Sequence, residues 1–272
     1  MNWNTLILEA ATNAKRRVSH VVGTTEARRS FGIGAGGDIT KKIDRVAEEA
    51  IIDTLNHHNV CCTFVSEEIG TKVIGGESDL FVVTDPVDGT TNAIHGIDFY
   101  ATSIAISDKP SLDGVFYGLI MNLVNGEVFD AGRGKGSFHD GQPLCVSCET
   151  DVASSIIGID LSGIDQILLS KVKPIVLSFR HLRHFGANAL EICQVASGLT
   201  EVFIDVRDKI RATDIAAAYL ILKEAGGVMV DPFGVELNIP LTPRSRASLI
   251  AGNPRICKKI LDKFRAASKV EH

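Results

Sequence analysis

Trp3, Leu6, Ile7, Ala10, Ala14, Val18 and Val21 recur at three- and four-residue spacings, so Trp3 to Val22 is predicted to form an amphipathic helix whose apolar stripe needs a partner. A second helix from about Lys41 to Asn56 supplies one, with Ile43, Val46, Ala47, Ala50, Ile51 and Leu55 on one face and Thr40 as cap. Its Glu48 and Glu49 are expected to face solvent. Between the helices, Ser30 to Asp38 is glycine-rich and contains a formal G-x-G-x-x-G at Gly32, Gly34 and Gly37. That pattern marks a dinucleotide site only after a strand, and here it follows a helix and a polar run. A mobile loop delivering Asp38 fits better, because glycines leave the backbone many conformations.

From Cys61 onward the pattern turns to strands, over Cys62 to Ser66, Leu80 to Asp85, Ala101 to Ser107, Gly114 to Asn122 and Glu127 to Ala131. Asn125-Gly126 and Asp140-Gly141 are hairpin signals. Residues 1 to about 150 are therefore an α+β half, with two helices laid against antiparallel strands. Residues 151–272 alternate as α/β: strand Ser155 to Asp160, a helical piece near Ile164 to Lys171, strand Ile175 to Phe179, helix Asn188 to Ala196 and strand Glu201 to Asp205. Helix Thr213 to Glu224, strands Val228 to Val230 and Ser248 to Ala251, and a helix from Pro254 complete the second half.

With 272 residues, 45% of them hydrophobic, the chain can bury a sizeable core without disulfides. A formal charge of -5 argues against a nucleic-acid surface as its main business. No apolar run approaches membrane-span length and no signal-like segment opens the chain, so a cytoplasmic location is expected. Cys145 and Cys148 form a C-x-x-C without a second copy, which reads as ordinary reduced thiols. His57, His58, His181 and His184 are assigned surface or packing roles.

The chemistry concentrates in Phe81 to Asn92. A strand ends at Asp85, Pro86 fixes the turn, and Asp88 follows, so two carboxylates can converge and invite a hard cation. Gly89, Thr90 and Thr91 then offer backbone amides to phosphate oxygens at what reads as a helix start.

Here the chain resembles the inositol monophosphatase family, whose signature D-P-x-D-G-T-T-N runs from Asp85 to Asn92 without departure. Ser66-Glu67-Glu68 resembles its G-E-E element, with serine for glycine. Asp38 and Asp44, six apart, resemble its paired aspartates, with Thr40 one position early. Arg211 to Gly227 resembles its second signature around Asp214, with Thr213 where many members have tryptophan. The resemblance implies a layered αβαβα sandwich, the sugar phosphatase fold, in two packed halves, and a homodimer. It implies Glu67, Asp85 and the Val87 carbonyl around one Mg²⁺, and Asp85, Asp88 and Asp214 around a second. Asp38 is expected to serve a third Mg²⁺ or to pair with Thr90 and activate water, while the Gly89 and Thr90 amides hold phosphate.

Inositol-selective members tend to place an acidic residue seven before the second-signature aspartate, where this chain has Arg207. A guanidinium suits a second anionic group, and similar basic substitutions occur in archaeal-type members that also hydrolyse fructose 1,6-bisphosphate, so the resemblance implies fructose 1,6-bisphosphate and inositol 1-phosphate as substrates, with Arg207 reading the distal phosphate. Alternatively, Arg207 forms an ion pair with Asp205 or Asp208. A 3′-phosphoadenosine 5′-phosphate phosphatase and a largely non-catalytic, transcription-associated binding protein are the rival functions.

Overall fold

The structure is a computed structural model describing residues 2–268. Two helices, α1 (Trp3–Ser19) and α2 (Lys42–His57), pack together as one outer layer. Their buried faces carry the predicted periodic residues, among them Ile7, Ala10, Ile43 and Ile51. Between them, β1 (Ser30–Ile33) and β2 (Ile39–Lys41) form a small antiparallel ribbon in the segment expected to be simply a loop.

Beneath these helices lies an eight-stranded sheet. Its strands are β3 (Cys62–Ser66), β4 (Gly70–Ile74), β5 (Phe81–Asp88), β6 (Ala101–Ser107), β7 (Val115–Asn122), β8 (Val128–Gly132), β9 (Ser137–His139) and β10 (Gln142–Pro143). The order is β10-β9-β8-β7-β6-β5-β3-β4, antiparallel throughout except for the parallel pair β3 and β5. Asn125-Gly126 lies between β7 and β8, and Asp140-Gly141 joins β9 to β10 with both residues at positive φ, as that turn requires. The short helix α3 (Thr90–His95) follows β5.

A five-stranded sheet comprises β11 (Ile156–Ile159), β12 (His181–Arg183), β13 (Val202–Arg211), β14 (Val228–Val230) and β15 (Arg246–Gly252), in the order β12-β11-β13-β15-β14. Helices α5 (Asn188–Ala196) and α6 (Ala212–Glu224) lie between the two sheets, while α4 (Gln166–Val176) and α7 (Pro254–Ser268) pack together beyond the second. The result is the αβαβα sandwich. Helix α6 is buried from Ala212 through Leu222 because it has a sheet on either side, which explains its apolar character all round. Gly118 lets it come that close, since a Cβ there would lie 2.9 Å from Ala217 Cα.

Two expectations are corrected. Ile175 and Val176 end α4 instead of opening a strand: Val172, Ile175 and Phe179 fill the cluster shared with α7, and Pro174 is accommodated in the last turns. The strand comes later, as β12, whose residues are all exposed and carry no alternating signal. Glu48 does not face solvent. It is 2% exposed and accepts a hydrogen bond from Ile69 N at 3.1 Å, because the chain after β3 folds over that part of α2.

Candidate active site

β3 and β5 run parallel with Ser66 beside Thr84, so Glu67, just past the end of β3, comes beside Asp85 within β5. Asp85 and Asp88 are three apart, and a regular strand would send them to opposite faces. Instead, the register against β6 slips between Asp85–Ser103 and Asp88–Ala101, and this bulge, at Pro86, puts both in the wall of one cleft. Asp214 enters from the first turn of α6, held by Arg211 N at 3.2 Å. The cleft, about 290 Å³, is where the elements of both halves meet.

Glu67, Asp85 and Asp214 each present a carboxylate oxygen within 4.8 Å of the others. Asp88 stands beside them with both oxygens committed to the first amides of α5, Asn188 N at 3.0 Å and Ala189 N at 2.8 Å. A helix N-terminus stabilises that charge. Burial, reinforced by Glu67 and Asp214, holds the Asp85 carboxyl well above the usual range, and burial with Asp214 does the same to Asp88. Burial and then Asp214 push Glu67 up to about 9, while burial also raises Asp214. Carboxylates so placed cannot all ionise near neutrality without a counter-charge. The donor set, all hard oxygens, fits a divalent cation of the magnesium kind.

Next to this cluster, Gly89 caps α3 at φ 87° and lines the cleft with Thr90. A Cβ at Gly89 would lie 3.0 Å from Ala187 Cβ and 3.1 Å from the Phe99 carbonyl, so glycine is required there for both reasons. Thr90 Oγ1 lies 2.7 Å from Asp44 Oδ1 and 2.8 Å from the Val87 carbonyl. Asp44 is 3% exposed, and burial followed by Glu68 pushes it up to about 7.

Thr90 is therefore partnered by Asp44 and not by Asp38, whose side chain is 74% exposed and ion-paired to Arg211. In the sequence Asp44 stands out only as one of a pair of aspartates; at the third position of α2 it also looks like a helix-capping acid, which masks its role. Arg211, in the wall of the cleft and ion-paired to Glu67 at 3.0 Å, likewise carries no signal of that place in the sequence.

Arg207 is not brought to the cleft. Its guanidinium is held by Asp160, by Asp205 at 2.7 and 2.9 Å, and by the Ser162 carbonyl at 2.7 Å. The ion pair with Asp205 is the alternative that the structure contains. His184 sits 3.6 Å from both Asp160 and Glu191, a packing role, and His181 is exposed on β12.

The inositol monophosphatase family model matches residues 3–269. The chain is 35% identical to a fructose-1,6-bisphosphatase/inositol-1-monophosphatase of Methanothermobacter thermautotrophicus, over 95% of each chain. It is 32% identical to a bifunctional NADP phosphatase/NAD kinase of Methanococcus maripaludis, covering 97% of this chain but 49% of that protein. The crystal structure of an inositol monophosphatase-fructose 1,6-bisphosphatase superposes with a TM-score of 0.84 at 30% identity, over 97% of this chain and 100% of the other.

Proposed function

We propose, from the premise that this chain belongs to the inositol monophosphatase family of metal-dependent phosphatases, that it is a Mg²⁺-dependent phosphomonoesterase acting on fructose 1,6-bisphosphate, inositol 1-phosphate or both. The observation that carries this reading is the convergence of Glu67, Asp85 and Asp214 within 4.8 Å, beside a glycine-capped helix start. Glu67, Asp85 and the Val87 carbonyl would hold one ion, Asp85, Asp88 and Asp214 would hold a second, and the exposed Asp38 would be available to a third. Bound Mg²⁺ neutralises phosphate charge and lowers the pKa of water.

The chain's own groups do the rest. The amides of Gly89 and Thr90 orient the phosphate at the start of α3. Thr90 Oγ1 donates its proton toward Asp44 Oδ1, leaving its lone pairs to accept a hydrogen bond from the attacking water. As water oxygen bonds to phosphorus, its proton moves to Thr90 Oγ1 and that of Thr90 to Asp44. The ester bond breaks on the opposite side, the leaving alkoxide takes its proton from a solvent water, and the proton on Asp44 returns to solvent, so that one water is consumed for each ester cleaved. No cysteine or histidine nucleophile is needed.

The substrate choice rests on the methanogen relative named for both activities, since Arg207 is engaged elsewhere. A second reading, a phosphate carried on a nucleotide, is favoured by the NADP phosphatase match across 97% of this chain, although the chain spans about half of that relative. The intact acidic set disfavours a purely binding role. Phosphate release from fructose 1,6-bisphosphate, inositol 1-phosphate, NADP and 3′-phosphoadenosine 5′-phosphate, each with Mg²⁺, tests the proposal. The two sugar-type esters should turn over fastest. Faster release from a nucleotide would move the function to that class, and release from none would reverse the reading in favour of binding.

A further inference from the structure

Arg211 lies between the acidic cluster and the β1–β2 ribbon. Its Nη1 is 3.0 Å from Glu67 Oε1, its Nη2 pairs with Asp38, and its Nε is buried without a hydrogen-bond partner. The loop that carries Asp38 is pinned to the same strand end, with Gly36 N donating to the Glu67 carbonyl at 2.7 Å and Ala35 N to the Glu68 carbonyl at 3.0 Å. Gly36 makes room for the arrangement, because a Cβ there would fall 2.8 Å from Glu67 Cγ and 3.2 Å from Arg211 Nε.

We infer that Arg211 bridges Glu67 to the loop aspartate Asp38, and that divalent ions bind by displacing its guanidinium from Glu67. The inference rests on the proposed reading of Glu67 as a metal ligand. Glu67 shares its 4.8 Å cluster with Asp85 and Asp214, so a divalent ion on those oxygens and a guanidinium on Glu67 repel each other at close range. The two partners of Arg211 differ in how readily they let it go. Glu67 is only 13% exposed and fixed to the strand end, whereas Asp38 is 74% exposed on a glycine-rich loop and can move outward with the guanidinium. Loading thus exchanges one counter-charge for another and releases Asp38 and its loop at the moment the ions arrive.

Calorimetric titration of the metal-free protein with Mn²⁺ tests this in wild type, Arg211→Gln and Arg246→Gln. Arg246 is the charge-matched control, because it reaches the same loop through the Gly36 carbonyl and holds no carboxylate of the cluster. Arg211→Gln is expected to bind about tenfold more tightly, the size of a charge-assisted contact that no longer has to be broken, with Arg246→Gln within about twofold of wild type. Unchanged or weaker binding by Arg211→Gln, or an equal gain in Arg246→Gln, overturns the inference. Should the variants not fold, crystal structures of the wild type with and without Mn²⁺ decide it: the Arg211–Glu67 contact is expected only without the ion, and its persistence with the ion overturns the exchange. Mn²⁺ failing to bind the wild type removes the metal reading itself, a result distinct from binding with Arg211 left in place.

Discussion

Thr90 Oγ1 and Asp44 Oδ1 stand 2.7 Å apart although 46 residues separate them, one at the start of α3 and the other in the first turn of α2. This contact ties the phosphate-binding turn to the outer helical layer and gives the hydroxyl a buried proton acceptor. Asp44→Asn and Thr90→Ala are each expected to lower kcat by about 10² to 10⁴, the usual worth of a positioned proton acceptor, while Mg²⁺ affinity stays within about twofold. Steady-state kinetics with a Mg²⁺ titration checks this; a parallel loss of affinity would make the pair part of the ion site instead.

Much of this site is legible in the sequence because it is local. Asp85, Pro86, Asp88, Gly89 and Thr90 fall within six consecutive positions, and the bulge that aligns the two aspartates is foreshadowed by a proline that a regular central strand would not tolerate. Helices α1 and α2 are equally plain, since their burial follows their own periodicity, and α6 is plain as an unbroken apolar run. What escapes the sequence depends on packing between distant segments. The burial of Glu48 is decided by the backbone of Ile69, and the pairing of Arg207 with Asp160 spans 47 residues, so neither leaves a mark on its own neighbourhood. The fully exposed β12 shows no alternation, and the apolar end of α4 imitates a strand because its β-branched residues face α7.

Asp85→Asn should separate metal binding from folding. Asparagine keeps the acceptor for Val87 N, now 3.0 Å away, but removes one of several mutually repelling charges. In EDTA at about pH 8 the variant is expected to melt higher than wild type, by about 2 to 4 °C for each kcal/mol of relieved repulsion. Mg²⁺ should raise the melting temperature of wild type and leave the variant unmoved. Equal Mg²⁺ stabilisation of both proteins would place the ions elsewhere.

The metal-free protein should lose stability as pH rises. Glu67 titrates at about 9 and Asp44 and Glu48 at about 7 in the folded chain, against about 4 in an unfolded one, so the folded state binds more protons across that window. Their favourable contribution is complete below the unfolded values and disappears as pH climbs through the folded ones. Denaturant melts in EDTA between about pH 4 and 9 should show this decline, and saturating Mg²⁺ should flatten it. A stability that rises with pH in EDTA would contradict the buried-carboxylate picture.

Arg207→Ala should act on folding and not on substrate choice. Asp205 is fully buried, and truncation leaves its charge with the Arg207 backbone N–H but without a counter-charge, a loss of about 3 to 5 kcal/mol. Urea melts are expected to show that loss, with the ratio of KM for fructose 1,6-bisphosphate to KM for inositol 1-phosphate unchanged. A selective rise in KM for the bisphosphate would return Arg207 to the substrate.

The most direct measurement is the rate of phosphate release by metal-free protein as Mg²⁺ is added back, with wild type and Asp85→Asn side by side. Wild-type turnover should start from nothing and rise to saturation with Mg²⁺, and the variant should stay at least about a hundredfold lower at every concentration. Full wild-type turnover without divalent ions, or an Asp85→Asn variant that follows the wild-type curve, would contradict the assignment of the Glu67, Asp85 and Asp214 cluster as the catalytic metal centre.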